Sequence, residues 1–193
     1  MNLELNVLKN NIYTMFIHSW KSFNEAREPF NKTGAFKKVF ISKSNPDIVI
    51  KTFDESLIPY VEGEYDFYMD YPDLYAKIYK IDYNKRVIIQ ELLNTNRAIE
   101  DISILHIYLP TNYSNIGSFL LYMKRLVLNK DKSLIKEIEN KLDSNIVKIF
   151  TKWIIFLEKI LKIDPTNYNC DYLDIHYNNI GYDKKGNLKL LDI

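Results

Sequence analysis

The spacing of hydrophobic residues predicts a small sheet in the first half of the chain. "TGAFKKVFIS" and "DIVIKTF" predict two strands joined by "KSNPD", and "LYAKIYKI" and "RVIIQELL" predict two more joined by "DYNK". Between these hairpins, "DESLIPYVEGEYDFYMDY" predicts a helix that Asp54 can cap and whose first turns tolerate Pro59. The predicted order over this region is β, β, α, β, β.

Helical spacing flanks the predicted sheet on both sides. A leader over residues 4–27 predicts one or two amphipathic helices, with Leu5, Leu8, Ile12, Phe16 and Trp20 at helical intervals. From about residue 95 the pattern becomes helical again, in "NIGSFLLYMKRLVL", "SLIKEIENKL" and "NIVKIFTKWIIFLEKILKI". The first of these has Ile116, Phe119, Leu120 and Met123 on one face, and the last is apolar enough for a buried helix. Three regions follow: a helical leader over 1–30, a sheet region over 31–93 and a helical region over 94–193.

Length, charge and cysteine content exclude several classes of protein. The chain has 193 residues, 47% of them hydrophobic, which suffices for one sizeable core or for two small lobes. A net charge of +1 predicts neither a nucleic-acid nor a membrane partner. The single cysteine, Cys170, excludes an intrachain disulfide and favours a reducing compartment. With no signal peptide and no apolar run near the ~20 residues that span a bilayer, we expect a cytoplasmic protein.

The last 23 residues concentrate carboxylates and amides on a predicted hairpin. "NIGYD" and "LKLLDI" pair around Lys184, Lys185, Gly186 and Asn187, which brings Asn179 and Asp192 together at the open end. An amide oxygen and a carboxylate there suit Mg²⁺, which takes few protein ligands when phosphate oxygens complete its shell. Asp174, five residues before Asn179, could accept a proton from a hydroxyl nucleophile. Asp and Asn are also common in turns, so the prediction depends on the three residues together.

These residues resemble two signatures of one family. "DIHYNN", from Asp174 to Asn179, resembles the Asp-x-x-x-x-Asn catalytic loop of protein-kinase-like proteins, and "LLDI" resembles the metal-binding strand that follows it. The resemblance covers roughly residues 30 to 193. It implies an α+β, two-lobed protein-kinase-like fold, with a small antiparallel sheet in the N-lobe and a truncated helical C-lobe. Small kinase-like proteins of phages and other viruses are similar.

The resemblance also assigns residues in the N-terminal half. "IVIK", ending at Lys51, resembles the family's Val-Ala-Ile-Lys, whose lysine holds the phosphates of the nucleotide. The partner glutamate is expected on the next helix, and Glu64 shares a face with Val61, Tyr65 and Tyr68, whereas Glu62 points elsewhere. We therefore expect Glu64 to pair with Lys51.

Three further parts of a nucleotide site are implied. "GAFKKV" resembles the second half of a glycine-rich loop, in which Gly34 remains and Lys37 or Lys38 binds phosphate by its side chain. "QELL" falls where the family's hinge meets adenine, with backbone groups from Glu91 and Leu93. His176 occupies the position of the lysine in typical catalytic loops, as a phosphate or loop-ordering contact.

The resemblance implies ATP-dependent phosphoryl transfer with Mg²⁺, to a hydroxyl on a protein or a small molecule that the sequence does not specify. Two alternatives stay open. One is a pseudokinase, which keeps the cleft but acts by binding a partner, and the missing C-terminal helices and the degenerate glycine loop favour it. The other is transfer of AMP instead of phosphate, which uses similar residues.

Overall fold

The structure is a computed structural model that describes residues 27–29, 37–42, 45–109, 113–163 and 175–192. The predicted leader helices, Gly34 and Asp174 lie outside the described residues. Within them, no helix is both long and apolar enough to cross a membrane.

The N-terminal lobe is a five-stranded antiparallel sheet with one helix between its third and fourth strands. The strands are β1 (Arg27–Pro29), β2 (Lys37–Ser42), β3 (Ile48–Phe53), β4 (Ile78–Asp82) and β5 (Val87–Glu91), in the order β1-β2-β3-β5-β4. A short 3-10 turn at Glu55–Leu57 leads into helix α1 (Ile58–Asp70). The predicted β, β, α, β, β order is therefore confirmed.

Two details of this lobe differ from the sequence prediction. Arg27–Pro29, within the region predicted as a helical leader, forms an edge strand paired with β2. Asp54 precedes the 3-10 turn with an extended backbone, and its side chain makes no capping hydrogen bond. Capping by Asp54 was therefore wrong, because the chain enters α1 through the tighter turn instead.

The C-terminal lobe consists of four described helices and a hairpin. The helices are α2 (Thr95–Tyr108), α3 (Ile116–Leu128), α4 (Lys132–Lys141) and α5 (Ser144–Ile163). Side-chain oxygens cap all four: Asn94 accepts from the N–H of Arg97, Asn115 from that of Ser118, Asp131 from that of Leu134 and Asp143 from that of Ile146. Helix α2 was not delimited from the sequence, which indicated only a change to helical character near residue 95.

One hydrophobic core joins the two lobes. Helix α5 lies at its centre, with Phe150, Trp153, Leu157 and Ile160 fully buried. The same cluster continues to Val61 and Phe67 of α1, to Phe53 and Ile88 of the sheet and to the closing hairpin. A second, smaller cluster of Ile48, Ile50, Val87 and Ile89 covers the other face of the sheet. The α+β fold with a small antiparallel sheet and a helical C-terminal lobe is thus confirmed.

The closing hairpin consists of β6 (Ile180–Tyr182) and β7 (Leu188–Leu190). The Asp183 carboxylate accepts hydrogen bonds from the N–H groups of Lys185 and Asn187, and Gly186 adopts a left-handed backbone with φ of 80°. This is the turn that the sequence predicted.

Backbone hydrogen bonds fasten this hairpin to segments on two sides. The N–H of Ala76 donates to Leu190 O, and the N–H of Leu190 donates to Leu74 O, both at 2.8 Å. On the other strand, Asn94 and Tyr182 exchange two backbone hydrogen bonds, of 2.8 and 3.2 Å. The hairpin is therefore held both to the segment before β4 and to the segment that links the lobes.

Candidate functional site

The Lys51 side chain crosses from the sheet to the end of the closing hairpin. The strand period places Lys51 on the same face of β3 as Val49 and Phe53. Its side chain is 3% exposed, and its Nζ lies 2.9 Å from Asp192 Oδ1 and 2.7 Å from Leu191 O. A buried ammonium is costly without partners, so these two acceptors account for its burial. The contact joins residues 141 positions apart.

The carbonyl of Leu191 accepts hydrogen bonds from three side chains. Besides Lys51, the Tyr75 hydroxyl donates to it at 2.9 Å and Gln90 Nε2 at 3.4 Å. Gln90 also donates to Ala76 O at 3.3 Å. These bonds fix the peptide immediately before Asp192, so they set the position of the predicted metal ligand.

Sequence analysis did not identify Tyr75 or Gln90. For Gln90 a signal was present: it is a polar residue inside the apolar run "RVIIQELL", and it is fully buried. Because Val49 pairs with Gln90 and Lys51 with Ile88, strand alternation puts Gln90 on the same face of the sheet as Lys51. Tyr75 follows α1 outside any regular element and had no comparable signal.

Glu64 is buried in the same cluster. It is 1% exposed whereas Glu62 is exposed, so the predicted helix register is confirmed for these two residues. Tyr65, expected on the inward face, is exposed, and Phe67 is buried with Glu64 instead. This follows from the three-residue spacing of Val61, Glu64 and Phe67 on the helix.

The negative charges of this cluster affect the pKa of Tyr75. Burial raises the pKa of its hydroxyl well above the ordinary value, and the charges of Glu64 and Asp192 raise it further. Glu64 therefore lies close to Tyr75. Lys51 forms an ion pair with Asp192, and the predicted pairing of Lys51 with Glu64 stays a prediction.

Asn179 and Asp192 lie at the open end of the hairpin, as their spacing predicted. Ile180 pairs with Leu190, and the N–H of Leu191 donates to Asn179 O at 2.8 Å, so Asp192 is the next residue beyond the last pair. The Asp192 side chain is 34% exposed and remains accessible to a ligand.

His176 orders the turn that leads to Asn179. Its Nδ1 accepts a hydrogen bond from the N–H of Asn178 at 3.1 Å, and its carbonyl accepts from the N–H of Asn179 at 2.9 Å. These contacts cap the 3-10 turn Tyr177–Asn179. A loop-ordering contact was one of the two roles expected of His176, and contact with phosphate stays a prediction.

The oxygen donors suit magnesium more than a transition metal. Among the described residues, no group of three His, Cys, Asp or Glu side chains could hold a metal ion. Mg²⁺ needs only one or two protein oxygens when phosphates supply the others, and Asp192 with Asn179 offers that set. The donor chemistry therefore fits Mg²⁺ carried by a nucleotide.

The predicted hinge lies at the end of β5. The N–H of Glu91 donates to Lys77 O at 2.8 Å, so that group is already engaged. Leu93 is buried, and its Cβ would lie 2.6 Å from a Cβ added at Gly181 of the hairpin. The link between the lobes is thus packed directly against β6. Backbone contacts of Glu91 and Leu93 with a base stay predictions.

Of the remaining predicted site residues, the structure describes Lys37 but neither Gly34 nor Asp174. Lys37 begins β2 and pairs with Phe53 through the backbone. Gly34, and the aspartate predicted to act on the acceptor, Asp174, lie outside the described residues.

A cavity of about 360 Å³ lies elsewhere on the hairpin, lined in part by Lys152, Lys159, Lys185 and Lys189. Two aspartates, Asp73 and Asp183, also line it, and none of the predicted site residues does. The cavity is therefore separate from the Lys51–Asp192 site.

Comparison with known proteins gives a distant structural likeness. No protein-family model matches the chain, and no curated protein matches its sequence. Among solved structures, the choline kinase LicA from Streptococcus pneumoniae is similar over 97% of this chain and 67% of its own, with 15% identity and a TM-score of 0.39. Similarity at this level indicates neither a substrate nor an activity.

Proposed function

We propose that this protein is an ATP-dependent phosphotransferase, which transfers the γ-phosphoryl group of Mg-ATP to a hydroxyl on a protein or a small molecule. The observation that carries the proposal is the contact of Lys51 with Asp192, at a hairpin end that also presents Asn179. A lysine from the sheet, a carboxylate and an amide are the groups that bind phosphates and their metal in kinase-like sites.

The residues of the chain have distinct roles in this reaction. Bound Mg-ATP would supply the phosphoryl group and the metal charge. Lys51 binds phosphate oxygens, and Asn179 with Asp192 holds the metal. Asp174 orients the acceptor hydroxyl and takes its proton as the new P–O bond forms. The bond to the leaving ADP breaks at the same time, and Lys51 neutralises part of the negative charge that develops on ADP; the metal held by Asn179 and Asp192 would supply further positive charge there.

A second candidate, a pseudokinase, is favoured by one specific observation. Lys51 and Asp192 form an ion pair with each other, and the Leu191 carbonyl also binds the lysine. Because the carboxylate and the carbonyl satisfy the buried Lys51 ammonium, this lysine needs no nucleotide to stay buried. Such a protein would keep the cleft as a scaffold and act by binding a partner.

Two substitutions distinguish these functions. Asp174→Asn should abolish transfer and leave Mg-ATP affinity nearly unchanged, because Asp174 acts on the acceptor. Asp192→Asn should abolish transfer and also weaken Mg-ATP binding, because it removes charge from a metal ligand. Binding is measured by calorimetry. Transfer is measured with γ-labelled ATP, Mg²⁺ and a cell lysate, beside an α-labelled control that detects transfer of AMP.

A thermal melt of wild-type protein tests nucleotide binding first. Mg-ATP at ~100 times its dissociation constant should stabilise the fold by roughly 2.7 kcal/mol in a thermal melt. A melt unchanged by millimolar Mg-ATP would contradict both nucleotide binding and transfer. Binding without label transfer, together with a biological effect that survives both substitutions, would favour the pseudokinase.

A further inference from the structure

Helix α3 places a lysine at a position where the helix is otherwise apolar. Leu120, Met123 and Val127 share one face of α3, and Lys124 lies among them at helical spacing. All four residues are buried, and Lys124 is only 2% exposed. A charged side chain is rarely retained at such a position unless its ammonium group has partners. The burial of Lys124 therefore requires a partner for its ammonium group.

The Lys124 ammonium contacts the chain just ahead of the predicted metal ligand. Its Nζ donates a buried hydrogen bond of 2.8 Å to the carbonyl of Ile175. Ile175 is itself buried and directly precedes His176, whose ring and carbonyl order the turn to Asn179. Helix α3 also packs against that turn. Lys124 is thus anchored in the core and attached to the start of the loop.

We propose that Lys124 is a positioning residue for this loop, which is the segment 175–179. Its ammonium holds the Ile175 carbonyl, and the loop in turn holds Asn179 beside Asp192. This inference rests on the proposed function, and it adds a residue that the kinase-like motifs do not include. The unbranched side chain supplies the reach, and the charge strengthens the hydrogen bond.

The test replaces Lys124 with methionine, which keeps a flexible, unbranched apolar side chain and removes the donor. Lys136→Met, at an exposed position on α4, is the matched control. Hydrogen exchange is measured at the amides of Asn178 and Asn179, which bond within the loop, and at the amide of Asn187, which bonds in the distant turn. Loss of a charged hydrogen bond should speed loop exchange about tenfold in Lys124→Met.

Three results support the inference together. Exchange rises at Asn178 and Asn179 but not at Asn187, the rate of phosphoryl transfer falls, and Mg-ATP affinity falls as well, because Asn179 is a metal ligand in the proposed function. Lys136→Met changes none of these. Unchanged loop exchange, or a rise that is equal at Asn187, would overturn the inference. Because exchange needs no nucleotide, this failure is distinct from failure of wild-type protein to bind Mg-ATP, which would refute the proposed function.

The reactivity of Lys124 in wild-type protein provides a second test, which does not require Lys124→Met to fold. Acetylation of native lysines by an amine-reactive reagent is followed by mass spectrometry. A buried, hydrogen-bonded Lys124 should react at least about tenfold more slowly than exposed Lys136. Equal rates would show that Lys124 is not held at the loop.

Discussion

The contact between the hairpin and the link between the lobes predicts that even alanine at Gly181 destabilises the fold. A Cβ at Gly181 would lie 2.6 Å from Leu93 Cβ, and 3.3 Å from both Cγ2 and the backbone nitrogen of Thr95. The Leu93 Cβ is fixed by its own backbone, so no side-chain rotation relieves the clash. Relief requires the hairpin and the link to separate.

The expected magnitude follows from the cost of overpacking. Extra volume in a close-packed interior destabilises by roughly 1–3 kcal/mol, and we expect about 2 kcal/mol for Gly181→Ala. For a chain of this length, that lowers the melting temperature by about 4–8 °C. Because the same contact holds the hairpin that carries Asp192, Mg-ATP affinity should fall as well.

Gly63→Ala is the matched control, since it makes the same chemical change on an exposed turn of α1. A Cβ at Gly63 meets no atom within 4 Å. Alanine is a better helix former than glycine, so this variant should be more stable by roughly 0.5–1 kcal/mol.

Thermal and urea melts of both variants check the reasoning. The two alanine substitutions should change the free energy of unfolding in opposite directions. If Gly181→Ala is as stable as wild type, the close approach of Leu93 to the hairpin is wrong. Equal destabilisation by Gly63→Ala would instead point to a general effect of losing glycine.

Two further outcomes concern single side chains. Tyr75→Phe should lower the free energy of unfolding in urea by about 1 kcal/mol, because the Leu191 carbonyl keeps other donors; no change would mean that the hydroxyl bond is not formed. Burial by itself raises the pKa of Asp183, yet hydrogen bonds from Asn187 help to lower it below the ordinary value. Ionised Asp183 therefore stabilises the folded state fully above about pH 4, and this contribution is lost as pH falls through the folded-state pKa of Asp183. Asp183→Asn should lose less stability than wild type between about pH 5 and pH 3 in urea melts, and parallel curves would contradict this.

Local patterns in the sequence determined the elements and several orientations. Alternation along β3 placed Lys51 on one face of a strand, and the helical period distinguished buried Glu64 from exposed Glu62. The Gly186 turn determined the hairpin register, which set Asn179 beside the end of β7. Each of these depends on residues only a few positions apart, so periodicity and turn chemistry suffice to predict it.

Tertiary structure decided which of these residues meet. Lys51 contacts Asp192 across 141 positions, and Tyr75 and Gln90 converge on one carbonyl. Lys124 could be placed on the apolar face of its helix from its spacing, but its contact with Ile175 could not be predicted. These partners depend on how two lobes pack around a shared core, and the separation of residues along the chain carries no information about that packing.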